Sequence, residues 1–267
     1  MKDTVLQMIQ AGKSHREIQD VTGLGLATIS RWRNEGMGTN RVLVIGDIHE
    51  PCCRDGYLEF CKDIERKHKT NRTVFIGDIV DFHGISFHAR MAEAPGVIDE
   101  YDLAYEKIQK WYRAFPKATV TIGNHDDRIR RVAESVNIPS KFLRNDKEIW
   151  NTPKWDWVDN IIIDDVYYMH GTGHAGIHPA YNASKQMCMS VCMGHIHSVA
   201  GIKWSASPQK RWFGMDVGSG IDDHKYAFAY GQNNKRKSVI GCGVVLDGNP
   251  YYEAMWLEKY KTPPNHP

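Results

Sequence analysis

The sequence predicts an α/β protein in which sheets and helices pack as layers, and two observations support this fold class. Between residues 42 and 122, short apolar strands alternate with amphipathic helical segments, which is typical of βαβ units. From Asn151 onward, alternating Trp, Tyr and Ile residues indicate antiparallel strands. Layered α/β proteins bind ligands at the carboxyl ends of strands, so residues that directly follow strands are the first candidates for a functional site.

Length and composition agree with one large domain plus a small appendage. The chain has 267 residues, of which 42% are hydrophobic, so a sizeable core can form. The net charge of +2 gives no indication of nucleic-acid or membrane affinity. No apolar run approaches the ~20 residues that cross a bilayer, so we expect no membrane segment. The six cysteines form no CxxC pair and no signal peptide precedes them, so we expect reduced thiols and a cytoplasmic location.

Residues 1–38 are predicted to form a separate helical module, joined to the main domain by a short linker. Ser14 and Glu17 have the spacing of a capping box that opens the second of three short helices, and Gly23 ends that helix. A third helix is expected over residues 27–33. Two short helices joined by a turn that contains glycine are typical of a helix-turn-helix.

This module resembles the small helix-turn-helix units of resolvases and transposases. Gly23 lies at the turn, and Ile18, Ile29 and Trp32 lie where that motif buries apolar side chains. Gln19 departs from the motif, which has a small residue where the helices cross.

The resemblance implies that one face of the third helix lies toward the major groove of DNA, with Thr28, Ser30, Arg31 and Arg33 on that face. A docking or oligomerisation module is the other interpretation, so DNA and a second copy of the chain both remain candidate partners. A unit of about 40 residues is also marginal alone, so we expect it to be supported by the main domain or by a partner.

The main domain is predicted to span residues 41–260. Strands are expected at 42–46, 73–77, 118–122, 155–163, 166–170, 189–193, 212–217, 239–246 and 250–257. Helices are expected at 57–67, 99–115 and 128–143, the last of them interrupted near Pro139.

Ligand-type side chains follow five of the predicted strands. Each motif alone has a common structural explanation, such as an Asx-capped turn or a buried histidine. Together, at five strand ends, they predict one metal site gathered from the whole chain. These side chains are Asp47, His49, Asp78, Asp81, Asn124, His125, His170, His195 and His197.

The motifs, in this order, resemble those of the calcineurin-like metallophosphoesterase superfamily. The family pattern is Asp-x-His, Gly-Asp-x-x-Asp, Gly-Asn-His-Asp/Glu, His and Gly-His-x-His, and every element occurs between residues 41 and 257. The resemblance implies a metallophosphoesterase-type double β-sandwich flanked by helices, with two divalent metal ions.

The resemblance also implies a ligand for each metal position. The expected ligands of the first metal are Asp47, His49, Asp78 and His197, and those of the second are Asp78, Asn124, His170 and His195. The shared carboxylate of Asp78 would bridge the two ions. Such a mixed nitrogen and oxygen set suits Mn²⁺, Fe or Zn²⁺, and Mn²⁺ is the ion that we expect. Two such ions about 3.5–4 Å apart can bind a bridging hydroxide and hold phosphate oxygens.

Two further residues are expected to act without binding metal. The resemblance implies that His125 faces the oxygen of the leaving group, as a general acid or as a charge stabiliser. It implies that Asp81 orients His125, although a role as a loop cap remains an alternative. Asp126 is expected to be structural.

One departure from the family bears on the substrate. In the protein Ser/Thr phosphatase branch, an arginine follows the second Asp of Gly-Asp-x-x-Asp and grips phosphate, whereas this chain has Phe82. The loss of that bidentate contact argues against phosphoprotein monoesters. Further candidates for the substrate pocket are His83, His88, Arg90, Arg128, Asp222 and Asp223.

The sequence therefore predicts a metal-dependent phosphoesterase that acts on phosphodiesters of nucleic acid or nucleotides. One alternative is a phosphatase or cyclic phosphodiesterase for small nucleotides, with helices that serve assembly. A second alternative is a DNA-binding regulator that uses the metal core as a scaffold. The complete set of ligand-type residues argues against the second alternative.

Overall fold

The computed structural model describes residues 1–37, 40–86, 94–225 and 236–256. It divides into two compact units, Met1–Asn40 and Arg41–Pro267. The described helices do not include one that is long and apolar enough to cross a membrane. All six cysteines of the chain fall in the described part, and all are free thiols.

The first unit contains three helices around a small apolar core. Val5, Ile18 and Ile29 are fully buried, one from each helix, and Trp32 packs against them. The helices are α1 (Lys2–Gln10), α2 (His15–Thr22) and α3 (Leu26–Met37). The third helix therefore continues beyond residue 33, where the prediction ended it.

Both ends of α2 follow from local chemistry. The Ser14 side chain accepts a hydrogen bond from the Glu17 backbone N–H, and the Glu17 carboxylate accepts one from the Ser14 backbone, so the predicted capping box is confirmed. Gly23 ends the helix in the left-handed conformation, with φ 67°, which glycine adopts without a Cβ penalty.

The second unit contains two β-sheets. Among the described residues, the first sheet has six strands, in the spatial order β11 (Asn249–Ala254), β10 (Gly241–Leu246), β1 (Arg41–Ile45), β2 (Arg72–Phe75), β3 (Ala118–Thr121) and β4 (Trp155–Val158). The second has five, in the order β5 (Asn160–Ile163), β6 (Val166–Met169), β7 (Ser190–Met193), β9 (Arg211–Val217) and β8 (Ala200–Ala206). Strands β1 to β4 run parallel, as do β6, β7 and β9.

Alternate side chains along a strand of the first sheet pack into two different apolar cores, one on each face of the sheet. On β1, Leu43 and Ile45 join a core with helical residues such as Trp111, whereas Val42 and Val44 join a core with residues of the second sheet. The helices of this unit are α4 (Tyr57–His68), α5 (Val97–Ala114), α6 (Arg128–Ser135), α7 (Asp146–Ile149) and α8 (Pro179–Met187), with 3₁₀ turns at His83–Ile85 and Ser140–Phe142. Since α8 packs on the outer face of the second sheet, the two sheets are flanked by helices, as predicted.

In the second unit, two expected elements differ from the structure and one strand was not expected. The single strand predicted at 155–163 is two strands, because the chain passes between the sheets at Asp159 while both halves keep the same alternation. The helix predicted at 128–143 ends at Ser135, before the expected break at Pro139. Strand β8 was not predicted because it is an edge strand, so only part of it is covered and its sequence lacks apolar alternation.

Candidate metal centre

The loops that follow β1, β2 and β7 hold candidate ligands in an unusual backbone conformation. His49, Asp78 and His195 have φ values of 45°, 48° and 71°, in the left-handed region that residues other than glycine rarely adopt. Such strain persists only where surrounding contacts enforce it, and it is common at functional sites.

Close packing around these loops requires glycine. A Cβ atom at Gly123 would overlap the Oδ1 atom of Asp78, and one at Gly194 would overlap the Oδ1 atom of Asp47. The glycines that precede Asn124 and His195 therefore allow loops from different strands to meet around the same carboxylates.

Four of the predicted ligands form a first cluster. The Nε2 atom of His197 lies 3.0 Å from Asp47 Oδ2 and 3.2 Å from His49 Nε2. Ligand atoms of Asp47, His49, Asp78 and His197 all lie within 4.8 Å of one another, the separation expected of groups around one ion.

A second cluster forms on the other side of Asp78. The Nε2 atom of His170 lies 3.1 Å from His195 Nδ1 and 3.1 Å from the Asn124 amide oxygen. Asp78, His170 and His195 again place ligand atoms within 4.8 Å of one another. The structure thus brings together all seven predicted metal ligands.

One oxygen connects the two clusters. Asp78 Oδ2 lies 3.4 Å from His49 Nε2 and 3.3 Å from His170 Nε2, and the Asp78 residue is 1% exposed. Asp78 Oδ1 accepts a hydrogen bond from the His125 backbone N–H at 2.8 Å, which fixes the carboxylate in this orientation. The geometry allows Asp78 to serve both clusters at once.

The donor set fits two divalent cations. Asp47 Oδ1 is buried and has no hydrogen-bond partner in the described part of the chain, a costly state for a carboxylate oxygen without a cation. His170 donates its Nδ1 hydrogen to the Ile76 carbonyl at 2.9 Å, and His49 directs Nδ1 to Asp81 at 2.8 Å. Both rings consequently turn Nε2 toward the cluster, as metal-binding histidines do.

The neighbouring histidines keep the shared carboxylate ionised despite its burial. Burial alone would raise the pKa of Asp78, but the charges of His170 and His125 outweigh it and hold that pKa well below its usual range. Burial alone would lower the pKa values of His49 and His170, but the neighbouring Asp78 carboxylate helps to raise them to about 10 and about 9. The ionised form of Asp78 is the one that binds a cation.

Asp81 contacts two histidines. Its carboxylate Oδ1 lies 2.8 Å from His49 Nδ1 and 3.3 Å from His125 Nδ1, while its backbone carbonyl lies 2.7 Å from His125 Nδ1. His125 therefore does contact Asp81, as expected, with the shorter distance to the backbone carbonyl. The contact between the Asp81 carboxylate and His49 was not predicted from the sequence.

Asp126 ties two loops together. Its Oδ1 accepts from the Ile79 backbone at 2.9 Å, and its Oδ2 accepts from the Gly123 backbone at 2.9 Å. The residue is buried and joins the loops that carry Asp78 and Asn124, which is a structural role.

The remaining residues that were predicted as candidates for the substrate pocket each have different contacts. Asp222 lies 3.7 Å from Arg54, Asp223 accepts hydrogen bonds from Ser238, and Arg128 lies beside His125. His83 is buried, and its backbone N–H donates to Glu100. His88 and Arg90 lie outside the described residues.

Glu100 was missed by the sequence reasoning. Its two carboxylate oxygens accept from the backbones of His83 and Gly84, each at 2.7 Å, and so fix the turn that follows Asp81. A glutamate in the first turn of α5 looks like an ordinary surface residue in sequence, so only the fold shows that it is 1% exposed.

A cavity of about 460 Å³ begins next to His197. Ser198 and Lys203 line it together with Asp216 and Arg236. The Val239 N–H, from the same cavity wall, donates to the His197 carbonyl at 2.8 Å. The cavity therefore borders the loop that carries two of the candidate ligands.

Two packed sheets flanked by helices, with His and Asp clusters at the strand ends, fit the metallophosphoesterase class. The calcineurin-like phosphoesterase family matches residues 40–211 of the chain. The protein belongs to that family, and the family prediction made from the sequence is confirmed.

Solved structures with low identity align with most of the chain. Vacuolar Protein Sorting 29 from Cryptosporidium parvum is 11% identical, covers 82% of this chain and 92% of its own, and has a TM-score of 0.45. The nuclease MPE from Pseudomonas putida is 15% identical, with 79% and 86% covered and a TM-score of 0.35. The phosphoesterase Yfce from E. coli is 13% identical, with 77% and 87% covered and a TM-score of 0.35. No curated protein sequence matches the chain.

Proposed function

We propose that this protein is a dimetal phosphoesterase that hydrolyses phosphodiester bonds of nucleic acid or nucleotides. The observation that carries the proposal is the position of Asp78 Oδ2, 3.4 Å from His49 Nε2 and 3.3 Å from His170 Nε2. The residues that would hold the first ion are Asp47, His49, Asp78 and His197, and those for the second are Asp78, Asn124, His170 and His195. Residues 41–260 form the proposed catalytic domain, and residues 1–38 the accessory module.

The chemistry of the donors supports a transition-metal pair. Imidazole nitrogens with carboxylate and amide oxygens suit Mn²⁺, Fe or Zn²⁺, and we propose Mn²⁺. When bound, such ions activate the attacking water and neutralise charge on the phosphoryl oxygens. The six free thiols support a reducing compartment, and we propose the cytoplasm.

We propose that His125 is the side chain that assists departure of the leaving-group oxygen. Its ring centroid lies 4.3 Å from that of His49, so it borders the first cluster, and its side chain is 13% exposed. The Asp81 carbonyl holds His125 Nδ1 at 2.7 Å, which orients the ring. His125 would assist the leaving group by donating a proton or by stabilising its charge.

The surroundings of Phe82 support a diester substrate. Phe82 is 5% exposed, and its ring packs on Trp150 with centroids 5.5 Å apart, so it contributes to the core and offers no contact to phosphate. The cavity beside His197 offers the cations Lys203 and Arg236, which suit a second phosphate group of a nucleotide or nucleic acid.

The accessory helices have two candidate functions. Lys13, Arg16 and Arg31 are exposed in the first unit, which supports phosphate contacts in a helix-turn-helix that binds DNA. Val21 is 72% exposed and Leu26 is 44% exposed, which favours a second candidate, assembly through an apolar contact.

A substrate panel tests the proposal. Metal-free protein receives Mn²⁺ and is assayed with bis-p-nitrophenyl phosphate, p-nitrophenyl phosphate and labelled DNA. We expect Mn²⁺-dependent hydrolysis, with the diester preferred over the monoester. A monoester preference would favour the phosphatase alternative, whereas DNA binding without hydrolysis of any substrate would favour the regulator.

A further inference from the structure

A second cavity, of about 390 Å³, lies at the end of the first sheet that is opposite the metal centre. The candidate ligands on this sheet follow the carboxyl ends of its parallel strands, whereas the cavity lies at the amino ends of β2, β3 and β4. Arg72 is the first residue of β2, and Lys117 and Lys154 directly precede β3 and β4. All three cationic residues line the cavity and are exposed. The cavity is therefore basic and separate from both ligand clusters.

The strand register places the three cations in one row. When the pairing of β2 with β3 is extended to the strand starts, Arg72 lies opposite Lys117. The pairing of β3 with β4, extended in the same way, places Lys117 opposite Lys154. Neighbouring strands are about 4.8 Å apart, so the backbones of the outer two residues are about 10 Å apart. Residues in one row of a parallel sheet share a face, so three positive side chains project from that face next to one another.

The face that carries the row is the one turned toward the second sheet. Val74, two residues after Arg72, is 1% exposed and packs in the core that includes residues of the second sheet. Ile163, the last residue of β5, packs in the same core, and both residues line the cavity. Thr119, opposite Val74 in the register, adds a hydroxyl group on this face. The cavity thus combines an apolar wall with three cations and a neutral hydrogen-bonding group.

The positive charge of the row is not balanced within the part of the chain that the structure describes. Like charges on neighbouring strands repel each other. Among the described residues, no acidic side chain forms an ion pair with any of the three cations. The described lining includes one acidic residue, Asp156, but its carboxylate lies 2.9 Å from Lys147 and is already paired. A bound anion would relieve the repulsion within the row.

We propose that Arg72, Lys117 and Lys154 form a second anion site, which binds adjacent phosphate groups of a nucleotide or of a nucleic acid. This site goes beyond the proposed function, because it lies apart from the metal centre and holds its ligand by side chains alone. A guanidinium contacts phosphate oxygens in a bidentate manner, and lysines add point charges. Three cations spread over about 10 Å suit linked phosphates better than a single carboxylate.

Nuclear magnetic resonance of the lysine side chains tests binding at the row directly. In Zn²⁺-loaded full-length protein, reductive methylation with ¹³C labels the lysines and keeps their charge. The signals of Lys117 and Lys154 are assigned by their loss in Lys117→Gln and Lys154→Gln. The probes are α,β-methylene-ADP, a short single-stranded phosphorothioate oligonucleotide, and adenosine, which has no phosphate.

We expect both lysine signals to shift saturably with a phosphate probe and not with adenosine, while the signal of Lys110 on α5 stays unchanged. Shifts with α,β-methylene-ADP would identify a free nucleotide as a ligand, and shifts with the oligonucleotide alone would identify nucleic acid. No shift with either phosphate probe, or equal shifts with adenosine, would overturn the proposal.

Removal of one cation supplies a quantitative check. Lys154→Gln should raise the Kd of the effective probe about fivefold, read from the remaining Lys117 signal, which corresponds to the loss of one exposed charge contact of about 1 kcal/mol. Lys110→Gln is the matched control, because Lys110 is exposed and does not line the cavity, and it should keep Kd within about twofold. An unchanged Kd in Lys154→Gln, or an equal rise in the control, would show general attraction and refute a defined site.

The outcomes separate this site from the proposed function, because the titration records binding without turnover. Metal-dependent hydrolysis together with unshifted lysine signals would refute the second site alone. Shifted lysine signals without hydrolysis of any ester would refute the phosphoesterase proposal and leave the anion site in place.

Discussion

His49 and His197 direct their Nε2 atoms at each other across 3.2 Å, although they are 148 positions apart in the chain. His49 follows a strand of the first sheet and His197 follows a strand of the second, so the contact depends on the packing of the two sheets. Two imidazole nitrogens at this distance can share at most one hydrogen. These two nitrogens, with the nearby Asp47 carboxylate, would suit a cation that takes up both lone pairs.

The first prediction concerns Asp78, because it is the one carboxylate common to both clusters. Asp78→Asn removes the charge while keeping the shape, so we expect lower metal content at both positions and no detectable hydrolysis. Metal analysis by mass spectrometry and the diester assay measure the two effects. The control is Asp156→Asn, an exposed carboxylate paired with Lys147. Two retained metals with normal turnover in Asp78→Asn would contradict the dimetal assignment.

The second prediction separates metal binding from chemistry. His125→Ala should leave the metal content unchanged and lower the rate by about 10²–10⁴-fold, the usual contribution of a positioned acid or base. A nitrophenolate leaving group hardly needs a proton, so the rate for such an ester should fall less than the rate for an alkyl ester. Equal losses on both esters would leave charge stabilisation as the role of His125.

Sequence reasoning predicted which side chains the structure brings together, because each candidate ligand lies in a recognisable local motif just after a strand. Asp47 and His49 could be placed from their motif, since parallel strands bring their carboxyl ends to one edge. The contact between Asp81 and His49 could not be predicted, because it depends on the left-handed turn at His49. The burial of Glu100 also follows only from tertiary packing.

In the fold, too, local patterns could be predicted from the sequence, whereas features that depend on tertiary packing could not. Strands β1, β2 and β3 are largely buried and rich in β-branched and apolar residues, so their positions could be predicted. The local sequence does not show that the chain passes from one sheet to the other at Asp159. The strands on either side, Trp155–Val158 and Asn160–Ile163, continue one pattern of alternation. Which sheet a strand joins is decided by long-range pairing that local periodicity does not encode.

The third prediction concerns the pH dependence of stability. Burial raises the pKa of Asp216 from 3.8 to about 7, and its carboxylate accepts a hydrogen bond from the Ala180 backbone at 3.2 Å. Between about pH 4 and about pH 7, the Asp216 carboxyl keeps its proton in the folded state but has lost it in the unfolded state. The free energy of unfolding therefore falls as the pH rises through this range. The difference corresponds to on the order of 4 kcal/mol.

Asp216→Asn should remove this pH dependence. The amide keeps an acceptor for Ala180 but carries no charge, so the variant should gain stability over the wild type at pH 8 and lose that advantage near pH 4. Urea unfolding at both pH values measures the difference, with Asp156→Asn as an exposed control. An equal effect of Asp216→Asn at pH 4 and pH 8 would show that the carboxyl does not titrate in this range.

The fourth prediction concerns the cavity beside His197. Lys203→Glu should raise KM for a short oligonucleotide about fivefold, because one partly screened charge contact contributes about 1 kcal/mol. Bis-p-nitrophenyl phosphate has no second phosphate, so its KM should stay the same. Lys110→Glu, an exposed lysine on α5, is the control for a general change in charge. Equal effects of Lys203→Glu on both substrates would exclude the cavity as a phosphate subsite.

The last prediction distinguishes the two functions proposed for the accessory helices. If they bind DNA, Arg31→Glu in the full chain should weaken duplex binding. It should also reduce the salt dependence of binding by about 0.9 log units per tenfold change in salt for each phosphate that the variant no longer neutralises. The oligomeric state should not change. If the helices serve assembly, Val21→Ser should instead lower the oligomeric state, because it removes an apolar side chain that is 72% exposed.

Fluorescence anisotropy with labelled duplex at two salt concentrations measures the first effect, and analytical ultracentrifugation measures the second. A module that binds DNA as a small unit is expected to bind weakly, since one helix pair offers little surface. Undetectable DNA binding by the full chain at low salt, together with a smaller assembly in Val21→Ser, would rule out DNA binding. Retained assembly in Val21→Ser with weaker DNA binding in Arg31→Glu would rule out the assembly function.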